Sequence, residues 1–273
     1  MLPPVDIELA QDRQETVMQA SVDIELAESG WGVASLADIR EVLLSAARQF
    51  PAPVEEDARQ PPVFVFRRPM GPITQNQRRP EDGRVQIGLS AKDTYWSRYA
   101  FQFAHEWGHV LTGHCLPTKW QNTKGHAIGW LEESLCETTS LFALRAMSQE
   151  WTERPPYPNW HNYAASLMQY ADERMSEPAH TLPDGQTFAQ WLTEKMPVLR
   201  VDAERRADNT IIAKQLLPVF EADPQAWQTL PYFRQSRYGS EVSLEQHMAG
   251  WQKACPPALR HHLDKLRKAL GLL

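Results

Sequence analysis

Apolar residues recur along this chain with two different periods, which predict a small sheet followed by many helices. Residues 63–66 and 85–89 are rich in β-branched and aromatic side chains and predict two strands, joined by a loop rich in proline, glycine and arginine. Ahead of them, apolar residues repeat at helical spacing after Ser35, which is typical of a helix N-cap. This pattern predicts a first helix that ends near Phe50.

From Tyr95 onward the apolar period is that of an α-helix. Trp96 to Val110 presents one apolar face, and Gly113 is placed to end that helix. A second helical stretch covers about 127–150. The remaining segments with a helical pattern lie around 160–173, 187–199, 202–222, 242–253 and 256–270. The predicted fold class is therefore α+β, with a small N-terminal sheet and a mainly helical C-terminal half.

The first 30 residues differ from the rest in charge and contain a repeat. They hold one basic and seven acidic residues, and the hexapeptide Val-Asp-Ile-Glu-Leu-Ala occurs at 5–10 and again at 22–27. Two copies are too few for a solenoid, so this segment predicts a peripheral, mobile arm. The predicted organisation is an arm over 1–30, a core over 31–150 and a helical subdomain over 151–273.

Composition narrows the class of protein. The chain has 273 residues, of which 42% are hydrophobic and 23% charged, as in ordinary globular proteins. Outside the arm the charges balance, which argues against a nucleic-acid-binding surface. No apolar run is long enough to cross a membrane, and the start lacks the features of a signal peptide. Together with three cysteines, too few for a disulfide framework, these features predict a cytoplasmic protein.

The strongest chemical signal is the sequence His105-Glu106-Trp107-Gly108-His109 within a predicted helix. Side chains four residues apart project from the same helix face, so His105 and His109 can share one metal ion. Glu106 lies about 100° further round the helix, where it can take a proton from water at the metal. A catalytic zinc site also needs a third protein ligand. Cys115 is one candidate by position, although thiolates are uncommon in open zinc sites of this kind.

A second stretch, Trp130 to Cys136, adds a resemblance to a known family. It resembles the Trp-Leu-Asn-Glu-Gly-Phe-Ala segment of the aminopeptidase branch of the gluzincin metallopeptidases, which are zincins. The resemblance implies that Glu133 is the third zinc ligand. Glu137, four residues later, is the alternative ligand or a partner for a metal-bound histidine. Glu132 departs from the family's asparagine, and the 23-residue gap between His109 and Glu133 is longer than usual there.

The metal motif is also similar to that of regulatory peptidases related to ImmA and IrrE. Residues 105–114 share the pattern His-Glu-x-Gly-His followed by a Gly-His pair, and Phe142-Ala143 matches the end of their second helix. Thr139-Ser140 replaces their Ala-Asn. Both resemblances cover only about residues 85–147, so they indicate the superfamily and leave the family open.

Other polar residues give weaker signals. A residue that stabilises the oxyanion is expected beyond the glutamate helix. Spacing selects none of the candidates, which are His161, Tyr163, Tyr170, His180 and Tyr238. His114 is expected at a helix end, and His261 and His262 are expected on a solvated basic face.

Together these patterns predict a zinc-dependent peptidase, with Zn²⁺ held by His105, His109 and Glu133 and with Glu106 as general base. The expected partner is a peptide or protein substrate, with no nucleic acid and no membrane; the oligomeric state stays open. The alternatives are a regulatory or interaction protein with a structural metal site and a metal-free helical interaction protein.

Overall fold

The architecture is α+β, as the sequence predicts, and a mixed sheet lies beside a larger set of helices. The computed structural model describes residues 22–54, 60–113, 127–236, 239 and 241–272. Its strands are β1 (Ile24–Leu26), β2 (Val63–Arg67), β3 (Ile73–Thr74) and β4 (Val85–Leu89). Its helices are α1 (Leu36–Ala47), α2 (Trp96–Leu111), α3 (Gly129–Glu153), α4 (Ala164–Ser176), α5 (Phe188–Leu199), α6 (Arg206–Ala222), α7 (Leu244–Ala254) and α8 (Arg260–Ala269).

The sheet has the strand order β1-β2-β4-β3. Strands β1, β2 and β4 are parallel, and β3 pairs antiparallel with β4 at the edge. Alternate residues Val63, Val65, Val85 and Ile87 are fully buried, because successive side chains of a strand point to opposite faces. Helix α2 packs against β3 and β4. The edge strand β3 therefore lies next to the helix that carries the histidines.

Strand β1 corrects the predicted peripheral arm over residues 1–30 only in its last part, because residues 24–26 belong to the sheet. It belongs to the second copy of the repeat, and Ile24 is only 3% exposed. Long-range ion pairs hold its acidic residues: Glu25 lies 2.6 Å from Arg79, and Asp23 lies 2.8 Å from Arg84. These arginines are more than 50 residues away, so the local acidic composition gave no sign of the pairing. The first copy lies outside the described residues.

Most predicted elements are confirmed within a few residues. The two predicted strands correspond to β2 and β4, and the predicted helices correspond to α1–α8. Gly113 follows α2 with φ +86°, a left-handed conformation that suits glycine and ends a helix. The prediction missed the two-residue strand β3 and the 3₁₀ segment Pro224–Gln235. Among the described residues, no helix is long and apolar enough to cross a membrane.

Helix α3 is the centre of the helical part, and α2, α4 and α6 all pack against it. Small and hydroxyl side chains line its contact with α2. Thr139 Oγ1 donates to the Ala104 carbonyl at 2.7 Å, and Ser140 Oγ donates to the Phe101 carbonyl at 2.9 Å. These hydroxyls bond directly to the backbone of α2, so the two helices approach closely at the motif.

Gly108 is the closest point of this approach. A Cβ atom at Gly108 would lie 2.9 Å from Cys136 Cα and 2.8 Å from Thr139 Oγ1. We expect Gly108→Ala to destabilise the protein by about 1–2 kcal/mol, because overpacking against backbone outweighs the better helix propensity of alanine. Denaturant unfolding measures this. Gly250, half-buried within α7, is the control, and Gly250→Ala should be neutral or stabilising by up to about 1 kcal/mol. Equal effects of the two changes would contradict the tight α2–α3 contact.

Candidate metal centre

His105 and His109 lie one turn apart near the C-terminal end of α2, and α2 packs against α3. Their ring centroids are 5.5 Å apart, and their side chains are 21% and 12% exposed, respectively. The other side of the same helix is buried around Tyr99, Phe103 and Trp107. Because that apolar face anchors α2 in the core, both imidazoles must point into the cleft on the opposite side.

Glu133 of α3 completes a cluster of three metal-ligand groups. One oxygen of its carboxylate lies 3.3 Å from His105 Nε2, and the other lies 3.6 Å from His109 Nε2. One donor atom from each of the three residues lies within 4.8 Å of the other two. The sequence prediction paired these same residues, and the structure brings them together in positions suited to hold a metal ion.

The second ring nitrogen of each histidine, Nδ1, lies close to a different carboxylate. His109 Nδ1 lies 3.0 Å from Glu132 Oε1, and His105 Nδ1 lies 3.6 Å from Glu137 Oε2. When Nδ1–H donates to a carboxylate, Nε2 keeps its lone pair and can bind a metal. Glu137 therefore lies on the Nδ1 side of His105, in the position of an orienting partner, whereas Glu133 lies on the Nε2 side.

Glu132 is itself held by an arginine from the C-terminal half. Nη2 of Arg234, in the 3₁₀ segment Pro224–Gln235, lies 2.7 and 2.8 Å from the two oxygens of Glu132. Both side chains are 5% exposed. A chain of contacts thus runs from Arg234 through Glu132 to His109. It positions the histidine through an arginine that is 102 residues from Glu132 in the sequence, and nothing in the motif predicted it.

Glu106 lies next to the cluster and is 3% exposed. Thr74 Oγ1, on the edge strand β3, donates to Glu106 Oε2 at 2.8 Å and lies 3.1 Å from the Glu106 carbonyl oxygen. The carboxylate faces the cleft beside the imidazoles instead of joining the three-residue cluster. This geometry fits a proton acceptor adjacent to a metal ion.

Negative charge dominates the electrostatics of this cluster. Burial opposes a charge on His105, but hydrogen bonds to Glu133 and Glu137 outweigh it and raise its pKa to about 10. Burial likewise opposes a charge on His109, whose pKa is nevertheless raised by Glu133 and Glu132. Burial would raise the pKa of Glu133, but the two histidines lower it. The surroundings therefore favour positive charge between the imidazoles and the carboxylate, as a bound cation would supply.

The cluster opens into a cleft of about 240 Å³. Pro72 and Ile73, at the edge strand, form one wall. The lining also includes Arg174, Arg206 and Asn209 from the helical half, and no sequence pattern predicted them. These residues carry no motif and come from two separate helices, so only the packing of α4 and α6 on α3 reveals them.

Four of the five candidates for a residue that stabilises the oxyanion are among the described residues, and none of these four lines the cleft. Tyr163 OH accepts from the Ser97 backbone N–H at 3.2 Å, Tyr170 packs against Phe101, and His180 Nδ1 lies 2.6 Å from the Arg174 carbonyl. None of these three lines the cleft, and neither does the exposed His161. Tyr238, and also Cys115 and His114, lie outside the described residues.

Of the two C-terminal histidines, His262 contradicts the prediction of a solvated face, whereas His261 agrees with it. His262 is only 4% exposed, and its Nδ1 lies 2.9 Å from Asp223 Oδ2 at the end of α6. His261, beside it, is exposed. These two histidines and Asp223 form a second group of candidate ligand atoms, but Lys265 Nζ lies 2.8 Å from the same Asp223 oxygen. The chain's own ammonium group already balances that carboxylate.

Comparison of the chain with models of protein families, with curated proteins and with solved structures gives no match.

Proposed function

We propose that this protein is a zinc-dependent peptidase of the zincin type, with His105, His109 and Glu133 as zinc ligands. The observation that carries the proposal is the convergence of two Nε2 atoms and one carboxylate, while both Nδ1 atoms face carboxylates. This donor set matches catalytic zinc sites, which combine three protein ligands of nitrogen or oxygen with an open position. Orienting partners on the ligand histidines are also typical of such sites.

The chemistry follows from the positions of the side chains. A zinc ion bound there would supply Lewis acidity, which polarises a peptide carbonyl and makes a nearby water more acidic. Glu106, held by Thr74, accepts the proton of the attacking water and delivers it to the leaving amine. The substrate is a peptide or protein segment, and β3, the last strand of the described sheet, offers backbone groups that pair with an extended chain.

The order of elements supports the zincin assignment. An edge strand lies beside the helix with both histidines, and a second helix supplies the glutamate. The resemblance of the α3 segment to gluzincins agrees with Glu133 on the Nε2 side. The C-terminal helices add a wall to the cleft and the Arg234 contact.

Metal content tests the proposal directly. We expect about one zinc per chain in untagged protein, measured by elemental mass spectrometry, because the three ligands converge on one position. Glu133→Ala should lower zinc affinity by more than the roughly 10–100-fold typical of changes to orienting partners, since a ligand itself is lost. Glu153→Ala, exposed at the end of the same helix, is the control and should keep full zinc. A folded wild-type protein that neither contains nor takes up zinc would contradict the proposal.

A further inference from the structure

The cleft also contains an arginine that the proposed chemistry does not use. Arg206 is the first residue of α6, lines the cleft and is exposed. Its guanidinium reaches across to the segment that leads into β3, where Nη2 would lie 3.6 Å from a Cβ atom placed on Gly71. Arg206 thus joins the helical wall of the cleft to the wall formed by the edge strand.

The other cleft arginine is already committed to partners. Arg174 contacts Glu177 at 2.8 Å and Glu137 at 3.7 Å, and its guanidinium lies 5.3 Å from the Phe101 ring centroid. Among the residues that the structure describes, Arg206 makes no ion pair. Arg206 is therefore the cleft cation whose hydrogen-bond donors are open to a ligand.

The chain geometry limits how far Arg206 lies from the reacting groups. Gly71 precedes Thr74, the partner of Glu106, by three residues, and three residues span at most about 11 Å. An extended substrate along β3 covers the same distance with about three residues. A group that meets Arg206 therefore belongs to a residue within about three positions of the bond that reacts.

We propose that Arg206 selects substrates that carry a carboxylate within about three residues of the cleaved bond. The guanidinium presents paired N–H donors that match a carboxylate in a bidentate contact. The carboxylate is either an acidic side chain or a free carboxy terminus, which have the same chemistry. This inference rests on the proposed peptidase function, since it assumes that a peptide lies along β3.

Glu204 also lines the cleft, and its charge allows a second test of the carboxylate preference. Its side chain is exposed, and its negative charge opposes an anion at Arg206. Removing that charge with Glu204→Gln should strengthen the preference for a carboxylate. Removing the cation with Arg206→Gln should abolish it. Opposite effects of these two changes are a signature that a general loss of structure would not produce.

Cleavage profiling tests the inference. Zinc-loaded protein is incubated with a diverse peptide mixture, and the cleaved bonds are identified by mass spectrometry. We expect Asp, Glu or a free carboxy terminus two or three residues from the cleaved bond. Matched Glu and Gln peptides, each with a free or an amidated carboxy terminus, then show which carboxylate is recognised. The preferred carboxylate should raise kcat/KM by about five-fold, as expected for a partly exposed ion pair.

The control variant is Arg205→Gln. Arg205 is the neighbouring arginine, but it pairs with Asp208 and does not line the cleft. It should keep the wild-type preference, whereas Arg206→Gln should reduce the ratio of kcat/KM values to about one. Equal profiles for the two variants, or a wild-type profile without a carboxylate preference, would overturn the inference and leave the peptidase proposal standing.

A binding measurement separates the two proposals. Fluorescence anisotropy with zinc-loaded Glu106→Gln protein compares labelled peptides that carry the carboxylate with their amide counterparts, and needs no turnover. Tighter binding of the carboxylate form, lost on adding Arg206→Gln, supports the inference even if the rate of cleavage is low. If the wild type cuts no peptide and the zinc-loaded variant binds none, both the peptidase proposal and this inference fail.

Discussion

Replacement of Glu106 by glutamine should leave zinc in place and lower peptide hydrolysis by about 10²–10⁴-fold, the usual contribution of a general acid–base residue. Glutamine has the same shape, so Thr74 keeps a partner oxygen, but an amide cannot accept the proton of the attacking water. Because Glu106 lies outside the three-residue cluster, zinc content should not change. Steady-state kinetics and elemental mass spectrometry on the same preparation measure both effects.

The matched comparison is His109→Ala. This change removes a ligand, so we expect it to lower zinc content and activity together, whereas Glu106→Gln lowers activity alone. A second outcome would identify the rival function. If Glu106→Gln changes nothing measurable while His109→Ala unfolds the chain, the metal is structural and the protein is a regulatory or interaction protein.

Replacement of Arg234 by methionine should cost about 3–5 kcal/mol of folding free energy, because it leaves the buried Glu132 carboxylate without this ion pair. The same change loosens the carboxylate that holds His109 Nδ1, so zinc affinity should fall by about 10–100-fold. Urea unfolding of the zinc-free protein measures the first effect. Zinc competition with a chelating dye measures the second.

Two further variants test whether the buried ion pair causes the loss of folding free energy in Arg234→Met. Arg145→Met removes a partly exposed arginine that pairs with Glu221 and Asp172, and it should cost no more than about 1 kcal/mol. The double variant Glu132→Gln with Arg234→Met should recover much of the stability, because neither member of this pair then leaves an unpaired charge buried. A cost for Arg234→Met no larger than that for Arg145→Met would refute the role of the buried pair.

The Arg234 contact accounts for a glutamate at position 132, where the segment resembling the gluzincins has a different residue. The resembling segment of that family has asparagine there, which adds no charge. Glu132 keeps an acceptor for His109 Nδ1 but adds a buried negative charge. In this chain, the guanidinium of Arg234 balances that charge. The glutamate at position 132 is therefore accounted for only together with Arg234, which comes from the helical C-terminal half.

The sequence by itself determined the elements and the reactive core of the site. The helical period of α2 and α3, the strand composition of β2 and β4 and the glycine after α2 are local signals, so most elements were predicted within a few residues. The spacing of His105 and His109 placed both imidazoles on one helix face, because four residues make about one turn. The resemblance to gluzincins then singled out Glu133, which the structure brings to the same two nitrogens.

Only the tertiary structure decided which side chains surround that core. Strand β1 pairs with β2, its acidic neighbours meet Arg79 and Arg84, and the short strand β3 places Thr74 against Glu106. Arg234 reaches Glu132, and Arg206 reaches the segment before β3, from positions far along the chain. Such contacts join residues with no shared period or motif. They arise from the packing of whole helices, which local sequence does not encode residue by residue.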